Sequence, residues 1–341
     1  VNLHKNKENI MGKSFPVLGF DVGATKVAVC LGKSDGTIIG KGRVDNNDRH
    51  PDEVLPEMVA LGNKLIAEAG MTNEDIVAIG IGSPAPHDIP NGLITTPTNM
   101  KKWVNVPIRD YLKDHFNIET YMENDANAGA LAEWFFGAGK KARNMLYLTM
   151  STGIGGGLIL NGHLLDGKSF LAGEAGHICI DMGGPQCNCG MKGCYEAFCG
   201  GRAIADRLKK QLADQPASAI VKHAGGVENI DMIAVEKAVR DGDEFACKLW
   251  DDMMKRNAQA IGLFINLLNP EMIVLGTLAW AAEDLFMPKL MEYLPDYCWA
   301  VQLADCKIIP SGLKRNIGEY AGLSVALNAL FEQGRFQPWE N

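Results

Sequence analysis

No stretch of the 341-residue chain stays apolar for the roughly 18 residues that a bilayer crossing needs, because charge or strand-sized breaks interrupt every long run. A membrane partner is therefore not expected. Residues 1–15 are polar, rich in Lys and Asn, and lack the apolar core of a secretory leader, so the expected location is the cytoplasm. Basic charge is also scarce: 33 Lys and Arg stand against 41 Asp and Glu, a net charge of −8. That balance argues against broad contact with nucleic acid, which depends on clustered Lys and Arg. No low-complexity linker divides the chain, and no segment has a disordered composition.

Cysteine is too sparse and too unevenly spread for a disulfide framework. There are nine, an odd number, and Cys187, Cys189 and Cys194 crowd into one short stretch, which suits a reduced compartment and a metal. Cys30, Cys179, Cys199, Cys247, Cys298 and Cys306 are scattered among apolar neighbours and read as small buried hydrophobes, with Cys199 close enough to the cluster to support it. The remainder, 47% hydrophobic and 22% charged, is long enough for two domains, each with its own core.

From the first strand onward, Val17–Phe20 runs into Asp21-Val22-Gly23-Ala24-Thr25-Lys26, and two further strands follow at 27–32 and 37–42. A glycine at such a tip lets backbone N–H groups converge on an anion. Thr25 can add its hydroxyl and Asp21 can hold a hydrated magnesium, although an ordinary tight turn has the same appearance. A helical period spans 51–69, ending at Gly70, and 75–82 reads as a buried strand. After it comes a loop with Pro84, Ala85, Pro86 and His87, then Asn99 and Trp103. Asn99 can serve a hydroxyl pair, with Trp103 packed beneath it, or the segment is plain surface; His87 is expected to be exposed.

The stretch from Glu123 to Glu196 organises the chemistry. A strand over 119–122 leads into Glu123-Asn124-Asp125, and Asp125 opens a helix to Phe136, where it either caps the helix or faces a cleft and accepts a hydroxyl proton. From Asn144 the opening plan recurs: strand 145–150, glycine-rich turn Ser151-Thr152-Gly153-Ile154-Gly155, a returning strand and a third at 163–165. Two turns of one kind can grip opposite sides of a triphosphate. His177, Cys187, Cys189 and Cys194 then form a closed set suited to structural zinc, with Gly190 and Gly193 allowing the turns. Fixing that knuckle aims Glu174 and Glu196. Helices are expected at 202–213, 231–240 and 244–268, a buried strand at 271–276 whose end at Gly276 can admit adenine or ribose, a last strand at 307–310 and a final helix at about 318–332. Together these pieces indicate phosphoryl transfer onto a polyhydroxylated molecule.

With these motifs in order, the chain resembles the ROK family of sugar kinases and sugar-responsive regulators from Val17 to Leu330. The resemblance implies an α/β, actin-like ATPase fold of two ribonuclease-H-like domains facing a central cleft. The expected domains are 16–122 and 123–317, with the final helix packing back on the first. It also implies an ATP-dependent sugar kinase using Mg2+, with glucose favoured among the hexoses and Asp125 as general base. Asn99, Asn124, Asp125, Glu174, His177 and Glu196 resemble the hexose ligands, and Gly23, Thr25, Thr152, Gly153 and Gly276 the nucleotide side. Family members often form dimers or tetramers, which exposed Trp and Met residues near the C-terminus fit. Pro84-Ala85 replaces the usual Pro-Gly, and Gly276-Thr277 the usual paired glycines. A regulator would need a DNA-reading domain for which the acidic chain has no room before Val17, and a sugar binder without turnover would not need Asp125 and both turns.

Overall fold

The computed structural model of the chain describes residues 14–97 and 99–339. The polar segment on which the expected absence of a leader rests lies almost wholly outside the described residues. Packing divides the chain into two compact units, one of residues 1–141, 161–170 and 315–341, the other of residues 142–160 and 171–314.

In the first unit, strands β1 (Pro16–Val22), β2 (Lys26–Lys33), β3 (Ile38–Asp45), β4 (Ile79–Ser83) and β7 (Thr120–Asn124) form a sheet in the order β3-β2-β1-β4-β7. A separate two-stranded hairpin is made by β5 (His87–Asp88) and β6 (Leu93–Ile94). β1 runs antiparallel to β2 and parallel to β4, which runs parallel to β7. Val17, Leu18 and Phe20 are fully buried, as expected of a central strand covered on both faces. Helix α1 (Pro51–Glu68) starts with proline at its first position and buries Val54, Met58 and Leu65 along one stripe. Helix α2 (Ile108–Phe116) ends on Asn117 in the left-handed region, φ 55°. Helix α3 (Asp125–Phe136) follows β7 directly.

The second unit repeats the plan. β8 (Met145–Met150) is antiparallel to β9 (Ile154–Leu160) and parallel to β11 (Met272–Leu275), which is parallel to β12 (Lys307–Pro310). The two-residue β10 (His163–Leu164) falls within the 161–170 segment grouped with the first unit. Helices α4 (Tyr195–Cys199), α5 (Gly201–Gln211), α6 (Ala219–Ala224), α7 (Met232–Arg240), α8 (Glu244–Leu268), α9 (Thr277–Ala281), α10 (Glu283–Tyr293) and α11 (Ala300–Asp305) enclose this unit's own core. The last helix, α12 (Ile317–Glu332), packs on β1, β4 and α3 of the first unit.

Three expectations change. The strand expected from 75 begins only at Ile79, because Asn73–Asp75 is a short 3-10 turn in which Thr72 and Asp75 cap one another. The division expected at 123 moves past Lys141, because α3 packs on α12. Cys179 and Cys247 are exposed rather than buried.

Candidate functional site

In the first unit the end of β1 carries Asp21, and the turn beyond it closes when Gly23 N–H donates to Lys26 O at 3.0 Å. Gly23 and Ala24 are half-buried; Thr25 and Lys26 are exposed. The Asp21 carboxyl is pushed up to about 7, first by burial and then by the charge of Asp125, while Lys26 pulls it back. Asp21 and Asp125 therefore share one electrostatic neighbourhood. Two carboxylates in mutual repulsion beside a phosphate-type turn are a donor set that fits a hydrated Mg2+. The space is tight as well: a Cβ on Gly318 would sit 2.6 Å from Asp21 Oδ2.

Asp125 is the first residue of α3, but it is not the cap. Asn124 is, with its Oδ1 accepting from Ala126 N at 2.8 Å and Asn127 N at 3.3 Å. The capping duty that would have explained Asp125 structurally is thus performed by its neighbour. Glu123, buried at the end of β7, accepts from Asn124 N at 2.7 Å and Asn127 Nδ2 at 3.0 Å and so braces the same turn. Asn99 lies exposed in the loop after β6. Trp103 is buried within the first unit's core, with its indole N–H donating to Asn46 Oδ1 at 3.1 Å. His87 is half-buried rather than exposed, and burial lowers its pKa.

In the second unit the turn at Ser151–Gly153 is closed by Ser151 N–H donating to Gly153 O at 3.0 Å. The start of α5 ties into it, Gly201 N–H donating to Ser151 O and Arg202 N–H to Thr152 O, each at 2.9 Å. Glu196, on α4, accepts from Ile154 N at 2.8 Å. A Cβ on Gly153 would lie 2.4 Å from Glu196 Oε2, so only glycine lets the carboxylate reach this turn. Gly276, at the end of β11, donates to Leu148 O of β8 at 2.7 Å, on the strand that feeds the same turn. The structure thus groups Glu196 with Thr152 and Gly153.

The ligand atoms of His177, Cys187, Cys189 and Cys194 all lie within 4.8 Å of one another. His177 Nδ1 is 3.8 Å from Cys187 Sγ, and the sulfurs of Cys189 and Cys194 are 3.6 Å apart. Tetrahedral zinc with bonds near 2.3 Å to sulfur separates its sulfurs by about 3.8 Å, so the set fits. Burial raises Cys187, with the Cys189 backbone and the Cys194 thiol opposing, and pushes the Cys194 thiol up to about 12, with the Cys189 and Cys187 thiols adding. The other face of the imidazole turns to Glu174, whose Oε2 is 4.0 Å from His177 Nε2.

A family model described as the ROK family matches residues 17–323. The chain belongs to the ROK family. It is 34% identical over 310 residues to a glucokinase of Thermotoga maritima, covering 91% of this chain and 96% of that protein. It is 29% identical over 302 residues to a xylose repressor of Caldicellulosiruptor bescii, covering 87% of this chain and 74% of the repressor. The crystal structure of a ROK hexokinase from Thermus thermophilus superposes with a TM-score of 0.79 at 28% identity, over 94% of this chain and 100% of that one. The ROK fold, mixed α/β sheets flanked by helices in the actin and sugar-kinase architecture, is the one described above. No helix among the described residues is long and apolar enough to cross a membrane.

Of the residues that brace the two turns in this ROK chain, Asn46 is the one that the sequence does not reveal. Asn46 is 2% exposed and grips the first turn, yet it stands in a polar Asp45-Asn46-Asn47-Asp48 run that reads as a surface loop. Glu123 was visible as part of the Glu-Asn-Asp motif, but its burial follows from β7 being extended to Asn124.

Proposed function

We propose that this chain is an ATP-dependent hexose kinase that transfers the γ-phosphate to the 6-hydroxyl of a hexose, with glucose as the favoured acceptor. The observation that carries this is Asp125 at the first position of α3, relieved of capping by Asn124 and electrostatically paired with Asp21 beside the first turn. Asp125 takes the 6-hydroxyl proton as that oxygen attacks. Asn99, Asn124, Glu174, His177 and Glu196 bind the remaining hydroxyls, the carboxylates accepting and the amides and imidazole supplying donors, so that stereochemistry is read. The turn at Asp21, Gly23, Ala24, Thr25 and Lys26 and the turn at Thr152 and Gly153 hold the phosphates, and Gly276 lies on the adenosine side. Asp21 would hold a hydrated Mg2+ brought with ATP, which would neutralise charge on the transferring phosphate. The set at His177, Cys187, Cys189 and Cys194 takes a structural Zn2+ and leaves no open position for a catalytic water. Self-association as a dimer or tetramer is part of the proposal, and the exposed side chains of Trp299 and Val301 support it.

A coupled assay of ADP release with Mg-ATP across glucose, N-acetylglucosamine, mannose, N-acetylmannosamine and fructose tests the activity. Turnover with one sugar, reduced by about 10²-fold or more in Asp125→Asn, is the expected result. Silence across the panel, with sugar binding retained in calorimetry, would instead favour a sugar-sensing protein without turnover. The xylose-repressor relative and Thr277 in place of a second glycine at the nucleotide strand are what support that alternative.

A further inference from the structure

The first turn is held from behind by a residue that touches none of the proposed ligands. Asn46 follows β3 and grips the turn at two points. Its backbone N–H donates to Thr25 O at 3.0 Å, and its side-chain Nδ2 donates to Gly23 O at 2.7 Å. Gly23 N–H is already given to Lys26 O, so the donors that would face phosphate are Ala24 N–H and the Thr25 hydroxyl. Fixing the Gly23 carbonyl on the far side fixes where Ala24 N–H points, since the C=O of one residue and the N–H of the next lie trans in one peptide plane, and fixing the Thr25 carbonyl holds the backbone that carries its hydroxyl.

The orientation of the Asn46 amide is determined by its partners. Trp103 Nε1–H can only donate, so the atom it meets at 3.1 Å must be Oδ1. Gly23 O can only accept, so the atom it meets must be Nδ2. One amide orientation satisfies both and the flipped one satisfies neither. Both side chains are shut away from water, Asn46 at 2% and Trp103 at 1% exposure, so no solvent replaces a lost bond. Trp103 stands on the loop that carries Asn99. That loop is further fastened by Trp103 N–H to Met100 O at 2.9 Å and by Lys102, whose ammonium lies 3.2 Å from Asp48 Oδ2.

We propose that Asn46 is a positioning residue for the phosphate turn, its amide locked by Trp103 so that Ala24 N–H and the Thr25 hydroxyl face the nucleotide. This rests on the kinase proposal above. Removing the Asn46 amide leaves a buried indole N–H without a partner, takes the side-chain donor from Gly23 O and lets the turn rotate. Trp103→Phe keeps an aromatic ring and removes the indole N–H together with part of the ring volume, so its melting curve separates the lost bond from the lost packing.

The test is calorimetric binding of MgADP to wild type, Asn46→Ala and Trp103→Phe, together with steady-state kinetics and melting curves. MgADP affinity is expected to fall about tenfold in Asn46→Ala and about threefold in Trp103→Phe. KM for Mg-ATP should rise in parallel, with kcat held within about twofold, a split that a general loss of folded protein would not produce. Should Asn46→Ala fail to fold, Trp103→Phe carries the same test. Unchanged MgADP affinity in the folded variants, or a loss confined to kcat that tracks the melting curve, overturns the proposal. A wild-type chain that binds no MgADP sinks the kinase reading instead. The positioning claim is then decided by amide exchange: faster exchange at Gly23 and Asn46 in Trp103→Phe supports it, and unchanged exchange overturns it.

Discussion

At the scale of the residue, Glu123 couples the candidate site to pH. Its carboxyl is raised from the ordinary 4.5 to about 7, chiefly by burial, with hydrogen bonds from Asn127 and Asn124 opposing and the charge of Asp166 adding. It borders a cavity of about 390 Å³ that Arg109, Lys113, Glu119, Tyr121 and Asn328 also line. A carboxyl whose pKa is higher folded than unfolded stabilises the fold fully below the unfolded value, and the contribution disappears as pH rises through the folded one. Between pH 4.5 and 7 the wild type should therefore lose about 3 kcal/mol that a neutral side chain would not lose. Urea unfolding at pH 5 and pH 8 measures this: Glu123→Gln should gain on wild type by that order as pH rises, and parallel pH profiles for the two proteins would rule it out. The sequence showed Glu123 as one acid of a motif. The shift was not legible there, because it comes from closure of β7, α2, α3 and α12 around one side chain, and contacts from distant parts of a chain leave no local pattern.

At the scale of the element, α12 meets the first sheet backbone to backbone. A Cβ on Gly80 of β4 would lie 2.0 Å from Gly322 O and 2.4 Å from Ala326 N, and one on Gly322 would lie 2.3 Å from Phe20 N. Neither side can yield without moving a strand or the helix, so Gly80→Ala should cost about 3 kcal/mol of stability in urea titration, whereas Gly70→Ala, at a site with open space, should show only the cost of its φ of 70°. A Gly80→Ala protein with wild-type stability would mean that α12 does not sit directly on the strand. Long elements were readable because their periodicity repeats: 244–268 and 145–150 were expected with the bounds that α8 and β8 have. α4 and α9, at five residues each, are too short to show a period. α10 was obscured by Pro288, an interior breaker that the fold accommodates. The site turns at Gly23 and Gly153 were legible for a different reason: glycine and threonine at a strand end are a local signal, although the bonds that brace each turn, from Asn46 and Glu196, arrive from 20 or more residues away.

At the scale of the whole molecule, the repeated strand plan was legible because the second copy restates the first in the same order of strand, glycine turn and returning strand. The division into units was not, because the chain passes between them more than once, at 141–142, 160–161, 170–171 and 314–315. Each unit has its own apolar core, centred on Leu18, Phe20 and Ile79 in one and on Leu148, Ile261 and Ile273 in the other. The ligand cluster belongs entirely to the second. On the proposal that this set takes zinc, the metal would have to displace the proton that the packed Cys194 thiol holds, its pKa pushed up to about 12, and its binding would then tie the four ligands together. The protein purified without chelator should therefore contain about one zinc per chain by elemental analysis. Cys187→Ser should lose most of it, with hydrogen exchange accelerating across 174–201, where Glu174 and Glu196 are carried, and remaining at the wild-type rate in β1 and β2. Absence of metal from the wild type, or zinc content and exchange unchanged in Cys187→Ser, would remove the metal from the account. Faster exchange spread equally over both cores would mean instead that the knuckle stabilises the whole chain and does not act within its own unit.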